Sequence, residues 1–138
     1  MAKQVYINIP VSDLTKATAF YESLGFIKNP SFSNEQASGM SWSDTIFVML
    51  LTRDFYKKFI GDKQIIDAHT TSGALLCISF DSKEEVQKFA DTAKENGGDV
   101  YKVDMGIPED MMFGYEVSDL DGNHWEPLWM NPDFTPHA

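Results

Sequence analysis

Hydrophobic and polar positions follow two periods along this chain, and each period occurs twice. Residues 5–11 alternate in the manner of a half-buried strand, and residues 14–24 carry apolar side chains at helical spacing. Residues 75–80 form another apolar run, and residues 86–93 again show helical spacing. Shorter apolar runs follow each helix. The pattern therefore predicts a strand, a helix and three strands, and then the same series again.

Both predicted helices carry start and stop signals. Asp13 is a suitable N-cap, because its carboxylate can accept the unpaired N–H groups of the first turn. Ser82 and Glu85 have the spacing of a capping box at the start of the second helix. Gly25 is expected to end the first helix, and Asn96–Gly98 the second.

A hairpin is predicted near the C-terminus. Residues 114–118 and 124–130 have the character of strands, and residues 119–123 between them contain an Asp-Gly pair, which favours a tight turn. Alternation in the second run places Glu126 on one face of the strand and Trp125 on the other. A carboxylate on the inward face is either a ligand-site residue or a structural acid with satisfied hydrogen bonds. Both interpretations remain open at this stage.

Composition excludes several classes of protein. The 138 residues are 43% hydrophobic, which suits one compact domain with a core, and no apolar run approaches the length of a membrane span. The formal charge of −10 argues against a nucleic-acid partner. Cys77 is the only cysteine, so no intramolecular disulfide is possible, and we interpret it as a small buried hydrophobic residue. We expect a cytoplasmic protein with neither nucleic-acid nor membrane partners.

Two motifs together resemble the vicinal oxygen chelate superfamily, which includes glyoxalase, bleomycin-resistance and extradiol-dioxygenase proteins. Residues 119–126 are similar to the superfamily's Asp-Pro-Asp-Gly-x-x-x-Glu ending. Residues 8–14, followed by 19–21 and 24–26, are similar to its opening strand, helix and turn. The resemblance implies an α+β fold in which two paired βαβββ modules form a curved mixed sheet around a cleft.

The resemblance also implies an organisation for the single domain at 1–138. Module 1 covers about residues 3–52 and module 2 about residues 73–130, with a connecting arm at 53–72 and a tail at 131–138. The arm carries more aromatic residues than a solvated loop needs. Since superfamily members with one pair of modules usually dimerise, a homodimer is expected.

The superfamily typically holds a divalent metal through two ligands from each module. Counting along the motifs, only Glu126 remains as such a ligand, and the other three positions fall on Tyr6, Met49 and Leu75. A neutral phenol and a thioether are poor ligands for hard ions, and leucine offers no donor atom. We therefore predict no cofactor, while a divalent metal bound through a different ligand set remains the alternative.

The same comparison defines a candidate ligand site with mostly apolar side chains and a few polar ones. The predicted ligand-binding residues are Tyr6, Asn8, Phe47, Met49, Leu51, Leu75, His124 and Glu126. Tyr6 and Asn8 are the expected hydrogen-bond partners of Glu126. His124 has a second interpretation, as a solvated residue beside the turn.

Two functional hypotheses follow from this site. The first is a glyoxalase/bleomycin-resistance-like protein that binds a small apolar molecule in the cleft without the usual metal. The second is a lyase, isomerase or dioxygenase-type enzyme with Glu126 as the catalytic base or as a metal ligand. A structural dimer with an unused cleft is a third interpretation. The sequence does not identify the ligand.

Overall fold

In the computed structural model, which describes residues 2–134, the chain divides into two compact units between residues 71 and 72. The last residues of the predicted tail, 135–138, lie outside the described part. The elements of the first unit are β1 (Val5–Val11), α1 (Leu14–Ser23), β2 (Ile27–Asn29), a 3₁₀ turn (Pro30–Phe32), β3 (Ala37–Ser41), β4 (Ile46–Thr52) and α2 (Arg53–Lys57).

The first unit is a four-stranded mixed sheet in the order β1-β4-β3-β2, with β1 parallel to β4 and the other pairs antiparallel. Helix α1 contacts β3 and β4. Alternation along β1 and β4 buries the helix-facing set Ile9, Val11, Val48 and Leu50. The other face of this sheet carries Tyr6, Asn8, Phe47 and Met49.

Both predicted helix caps are confirmed. The Asp13 side chain accepts the Lys16 N–H at 3.0 Å. At the second helix, Ser82 Oγ accepts the Glu85 N–H at 3.2 Å while the Glu85 carboxylate accepts the Asp81 N–H at 3.1 Å. These contacts satisfy N–H groups that the first helical turn leaves unpaired. The arm at 53–72, for which no regular element was predicted, begins with α2.

The second unit repeats the series of the first. Its elements are β5 (Leu75–Ser79), α3 (Lys83–Glu95), β6 (Asp99–Tyr101), β7 (Met112–Gly114), β8 (Glu116–Ser118) and β9 (His124–Met130). The sheet order is β5-β9-β8-β6, with β7 also paired to β9, and β5 runs parallel to β9. The α+β class and the two βαβββ modules that the resemblance implied are confirmed, each with its own mixed sheet. Among residues 2–134, no helix is long and apolar enough to cross a membrane.

Pro127 explains why one strand of this sheet is split into β7 and β8. The pairs Gly114–Leu128 and Val117–Trp125 place Tyr115 opposite Pro127. The Tyr115 N–H donates to the Pro127 carbonyl at 3.2 Å, but proline has no N–H to return the bond. The ladder is therefore interrupted at this pair while the register continues on both sides of it.

The predicted hairpin between β8 and β9 is confirmed, and Asp119 organises it. This residue is 4% exposed. Its carboxylate accepts the N–H groups of Asp121 and Asn123 and the side-chain amide of Asn123, each at 2.9 Å. Gly122 adopts a φ of 87°, a conformation that suits glycine. The turn is thus held from inside by one carboxylate.

We predict that Asp119→Ala lowers the free energy of unfolding by about 2–4 kcal/mol, because a buried acceptor with several N–H partners is removed. Urea denaturation monitored by tryptophan fluorescence measures this change. Asp62→Ala removes an exposed carboxylate in the arm and serves as the control, with an expected change within about 0.5 kcal/mol. Equal effects of the two substitutions would contradict this role for Asp119.

Candidate functional site

The second sheet has one face covered by α3 and one face with no helix of its own unit. Tyr115 and Trp129 mark the covered face, since the Tyr115 hydroxyl donates to Gln87 of α3 at 2.7 Å and Lys83 of α3 lies over the Trp129 ring. Alternation places the neighbouring residues on the opposite side. We call that side the open face; it carries Leu75, Cys77, Asp99, Tyr101, Glu116, Ser118, His124, Glu126 and Leu128.

Four of these residues form a line across the strands, which we call the carboxyl row. Cys77 pairs with Glu126 in the parallel register of β5 and β9, and Tyr101 pairs with Glu116 in the antiparallel register of β6 and β8. The register of the hairpin places Glu116 opposite Glu126. Tyr115 and Pro127 form a hydrogen-bonded pair of the ladder. Because the two kinds of pair alternate along an antiparallel ladder, the neighbouring pair of Glu116 and Glu126 is a non-hydrogen-bonded one, in which side chains approach most closely.

The two carboxyl groups of the row lie opposite each other on β8 and β9. His124 Nε2 lies 3.0 Å from Glu116 Oε1, and the side chains of His124 and Glu116 are 20% and 15% exposed. Glu116 is therefore hydrogen-bonded to His124 and faces Glu126 on the open face.

Glu116 is the member of this group with a raised pKa. Its pKa is raised above the ordinary glutamate value, mainly because partial burial penalises the charged form and then because of the facing carboxyl of Glu126. The contact with His124 lowers the pKa of Glu116, since a charged imidazole favours the ionised carboxylate. Glu116 is thus placed to act as a hydrogen-bond donor or an acid.

The interpretation of Cys77 as a buried hydrophobic residue is wrong, because the structure leaves it exposed. Its strand, β5, pairs only with β9, and Cys77 points to the open face. Desolvation raises the pKa of the thiol, and the charges of Glu126 and Glu116 raise it further. The thiol therefore stays protonated at neutral pH and is a weak nucleophile.

The predicted site residues of the first unit share the face of their sheet opposite α1. Tyr6 stacks on Phe47 with ring centroids 4.9 Å apart and planes inclined by 13°. Asn8 pairs with Met49 in the register of β1 and β4, and Leu51 is buried. The Tyr6 hydroxyl donates to Gln4 at 2.9 Å.

The expected partnership of Tyr6 or Asn8 with Glu126 joins residues of the two units and stays a prediction. Within its own sheet, Glu126 faces Glu116. His124 is bonded to Glu116 and largely buried, so it is not the solvated turn residue of the second interpretation. Leu75 lies on the open face, as predicted for a site residue, and is 57% exposed.

Sequence reasoning missed Glu116 and Tyr101. The signal for Glu116 was present, because counting outward from the predicted turn at residues 119–123 pairs position 118 with 124 and position 116 with 126. Tyr101 could not be found in that way, since it reaches the row through a pairing between β6 and β8 that no local turn determines.

The donor set for a divalent metal is poor. Among the described residues, no group of three or more His, Cys, Asp or Glu side chains is arranged to hold a metal ion. Tyr6, Met49 and Leu75 supply no imidazole or carboxylate. Glu116 is already hydrogen-bonded to His124. These residues do not fit a metal site of the kind that the superfamily uses.

Each unit combines a mixed sheet with a helix on one face, and the sheet of the second unit presents hydrogen-bonded polar groups on its other face. This arrangement defines the class, an α+β protein built from repeated βαβββ modules. The model of the Glyoxalase/Bleomycin resistance protein/Dioxygenase superfamily matches residues 3–126. The chain belongs to this superfamily.

Solved structures share the fold at low sequence identity. Hypothetical protein SA1046 from S. aureus is 24% identical, with a TM-score of 0.73 and 94% of each chain covered. A family enzyme from Burkholderia phytofirmans PsJN is 19% identical, with a TM-score of 0.72, covering 94% of this chain and 100% of that one. The fosfomycin resistance protein FosX from Listeria monocytogenes, complexed with Mn(II) and sulfate, is 13% identical, with a TM-score of 0.69 and coverages of 96% and 94%. No curated protein sequence matches the chain.

We predict that Glu116→Gln changes the pH dependence of stability. Because the pKa of Glu116 is raised on folding, its proton stabilises the folded state at low pH, and this contribution is lost as the pH rises through the folded-state pKa. The variant has no such loss, so its stability relative to the wild type should increase as the pH rises from 4 to 8. Thermal unfolding across this range is the measurement.

Glu84→Gln is the matched control, since it removes an exposed carboxylate from the first turn of α3 on the other side of the sheet. Its melting temperature should show no corresponding gain over the wild type. Parallel profiles for Glu116→Gln and the wild type would contradict a raised pKa of Glu116.

Proposed function

We propose that this protein binds a small, largely apolar molecule on the open face of the second sheet, without a resident metal. The observation that carries the proposal is the facing pair of Glu116 and Glu126, with His124 hydrogen-bonded to Glu116. A protonated carboxyl donates a hydrogen bond and an ionised one accepts, so the pair offers both functions to one polar group of a ligand.

Apolar surface surrounds this polar pair. Tyr101 and Leu75 are 52% and 57% exposed, and Leu128 lies next to Glu126 on the same side of β9. Large exposed hydrophobic side chains beside a few polar groups are the usual composition of a small-molecule site. The first sheet supports the same proposal separately, since Tyr6, Asn8, Phe47, Met49 and Leu51 give it a mainly aromatic and aliphatic face.

The metal-free part of the proposal is supported by donor chemistry. Of the four ligand positions that the superfamily resemblance implies, only Glu126 carries a carboxylate or imidazole. FosX is complexed with Mn(II), but at 13% identity its similarity to this chain shows only a shared fold.

A proton-transfer enzyme is the second candidate, and the raised pKa of Glu116 favours it specifically. Glu126 would remove a proton from a carbon atom next to a carbonyl group, and Glu116 would donate its proton to the carbonyl oxygen. This division between a base and an acid suits a lyase or an isomerase. Both candidates use the same two carboxyls.

We predict that Glu126→Gln keeps the fold and lowers the affinity for small-molecule hits by at least about tenfold, since each hit loses a charged hydrogen-bond acceptor. The measurement is an NMR screen of uncharged aromatic fragments against the labelled wild type. Hits are those that shift the amide signals of the open face. Glu84→Gln is the control and should bind every hit as the wild type does. Hits that bind Glu126→Gln unchanged would overturn the role of this residue.

A cytoplasmic homodimer is the proposed form of the protein. The arm supports the assembly, because Phe59 is 68% exposed beside Phe55, with ring centroids 5.1 Å apart, and Ile66 is also exposed. Exposed aromatic side chains that lie this close together are typical of contact surfaces between proteins.

We predict a dimer mass by light scattering at micromolar concentration, and weaker association by at least about tenfold for Phe59→Ser, because the exposed ring would lose its apolar contact. Lys63→Ser, an exposed polar position in the same arm, serves as the control. A monomer mass for the wild type would contradict this proposal.

A further inference from the structure

We propose that Asn96, at the C-terminal end of α3, is a site of spontaneous deamidation, and that the helix end controls how fast it reacts. Deamidation converts the neutral side-chain amide into a carboxylate without an enzyme. This inference is independent of the proposed binding function, because it concerns a covalent change at the helix end.

The sequence around Asn96 favours this reaction. Deamidation begins when the backbone nitrogen of the following residue attacks the side-chain carbonyl carbon, so a following residue without a side chain hinders it least. Asn96 is followed by Gly97, and both residues are exposed. The other five asparagines precede isoleucine, proline, glutamate, histidine and proline, which are bulkier or, for proline, have no N–H. Position 96 is therefore the asparagine at which attack is least hindered.

The reaction has two steps, and water is the co-reactant. In the first step, the Gly97 nitrogen gives up its proton and bonds to Cγ of Asn96, while the C–N bond of the side-chain amide breaks. Ammonia leaves with the proton, and a five-membered succinimide ring remains in the backbone. In the second step, water opens the ring at either carbonyl and leaves aspartate or isoaspartate at position 96.

The folded end of α3 holds Asn96 in a conformation that does not react. With a ψ of 15°, the Gly97 nitrogen is nearly eclipsed with the Asn96 nitrogen and points away from the side chain. The Asn96 side-chain amide donates to the Thr92 carbonyl at 2.8 Å, and the Gly97 N–H donates to the Lys94 carbonyl at 3.3 Å. Ring closure therefore requires rotation about the Cα–C bond of Asn96 and the loss of these hydrogen bonds.

These restraints belong to the last turn of the helix, which opens more readily than its interior. Gly97 has a φ of 97°, in the left-handed region that commonly ends a helix. The Gly98 N–H then donates back to the Ala93 carbonyl at 2.8 Å. Opening this turn breaks a few hydrogen bonds and leaves the sheet paired. The rate of deamidation should therefore follow local opening of the helix end.

The product weakens the connection between α3 and β6. A carboxylate at position 96 lies at the negative end of the helix dipole and has no amide hydrogen to donate to Thr92. Isoaspartate also lengthens the backbone next to Gly97, where even an added Cβ would lie 3.1 Å from Cδ2 of Leu120. Since Leu120 belongs to the turn between β8 and β9, the modification should disturb both the helix end and this turn.

Mass spectrometry after incubation of the full chain at 37 °C and pH 8.5 tests the proposal. Trypsin releases residues 95–102 as one peptide, and deamidation makes this peptide about 1 Da heavier. We expect two heavier products that separate by chromatography, of which the isoaspartate form is a substrate for isoaspartyl methyltransferase. A synthetic peptide of residues 95–102 should react at least about tenfold faster than the folded chain, because it lacks the helix end.

Glu95→Gly and Glu84→Gly form a matched pair of variants. Each replaces an exposed glutamate of α3 with glycine, which weakens the helix locally, and the two positions lie at opposite ends. Glu95→Gly should deamidate at least about twofold faster than the wild type, whereas Glu84→Gly should react at the wild-type rate. Circular dichroism confirms that each variant is folded. Asn96→Gln is the negative control, because a longer side chain closes the ring far more slowly.

Asn96→Asp reproduces one of the two products and tests the structural effect. Its melting temperature should be about 2–6 °C below that of the wild type. If residues 95–102 of the folded chain stay unmodified after the synthetic peptide has reacted completely, Asn96 is not a modification site. Equal acceleration by Glu95→Gly and Glu84→Gly would overturn control by the helix end. An unchanged melting temperature for Asn96→Asp would overturn the weakening of this connection.

Discussion

The second unit depends on the register between β8 and β9. This register places Glu116 opposite Glu126, and a slip of β9 by one residue would turn Glu126 towards α3 and expose Trp125. Trp125 and Val117 are each 1% exposed, so the hydrophobic core resists that slip. The same packing that stabilises the sheet therefore fixes the position of the carboxyl pair.

Two residues outside the pair adapt the hairpin to this register. Asp119 closes the turn by accepting N–H groups from inside it, and Pro127 interrupts the ladder next to the glutamates. A proline in a central strand costs a ladder hydrogen bond. Here the gap lies beside the pair of Glu116 and Glu126, at which the side chains of the two strands approach most closely.

Local signals in the sequence predicted much of the fold, whereas the pairings between distant segments could not be predicted from it. Asp13 and Ser82 identified helix starts because capping depends on near neighbours. The inward direction of Glu126 followed from alternation alone. Cys77 was misjudged because an apolar run such as residues 75–80 has the composition of a fully buried strand, while β5 lies at the edge of its sheet with one face open. Tyr101 required the β6–β8 register, which no local pattern encodes.

Glu126 faces another acid of its own sheet. A carboxylate that is partly buried needs a cation, a hydrogen-bond donor or a proton. Tyr6, Met49 and Leu75 supply no carboxylate or imidazole, and the side chain opposite Glu126 is that of Glu116. Burial raises the pKa of Glu116, which favours its protonated form. A facing pair of acids in which one side chain favours its proton offers a hydrogen-bond donor beside an acceptor, and this chemistry differs from that of a carboxylate that coordinates a metal ion.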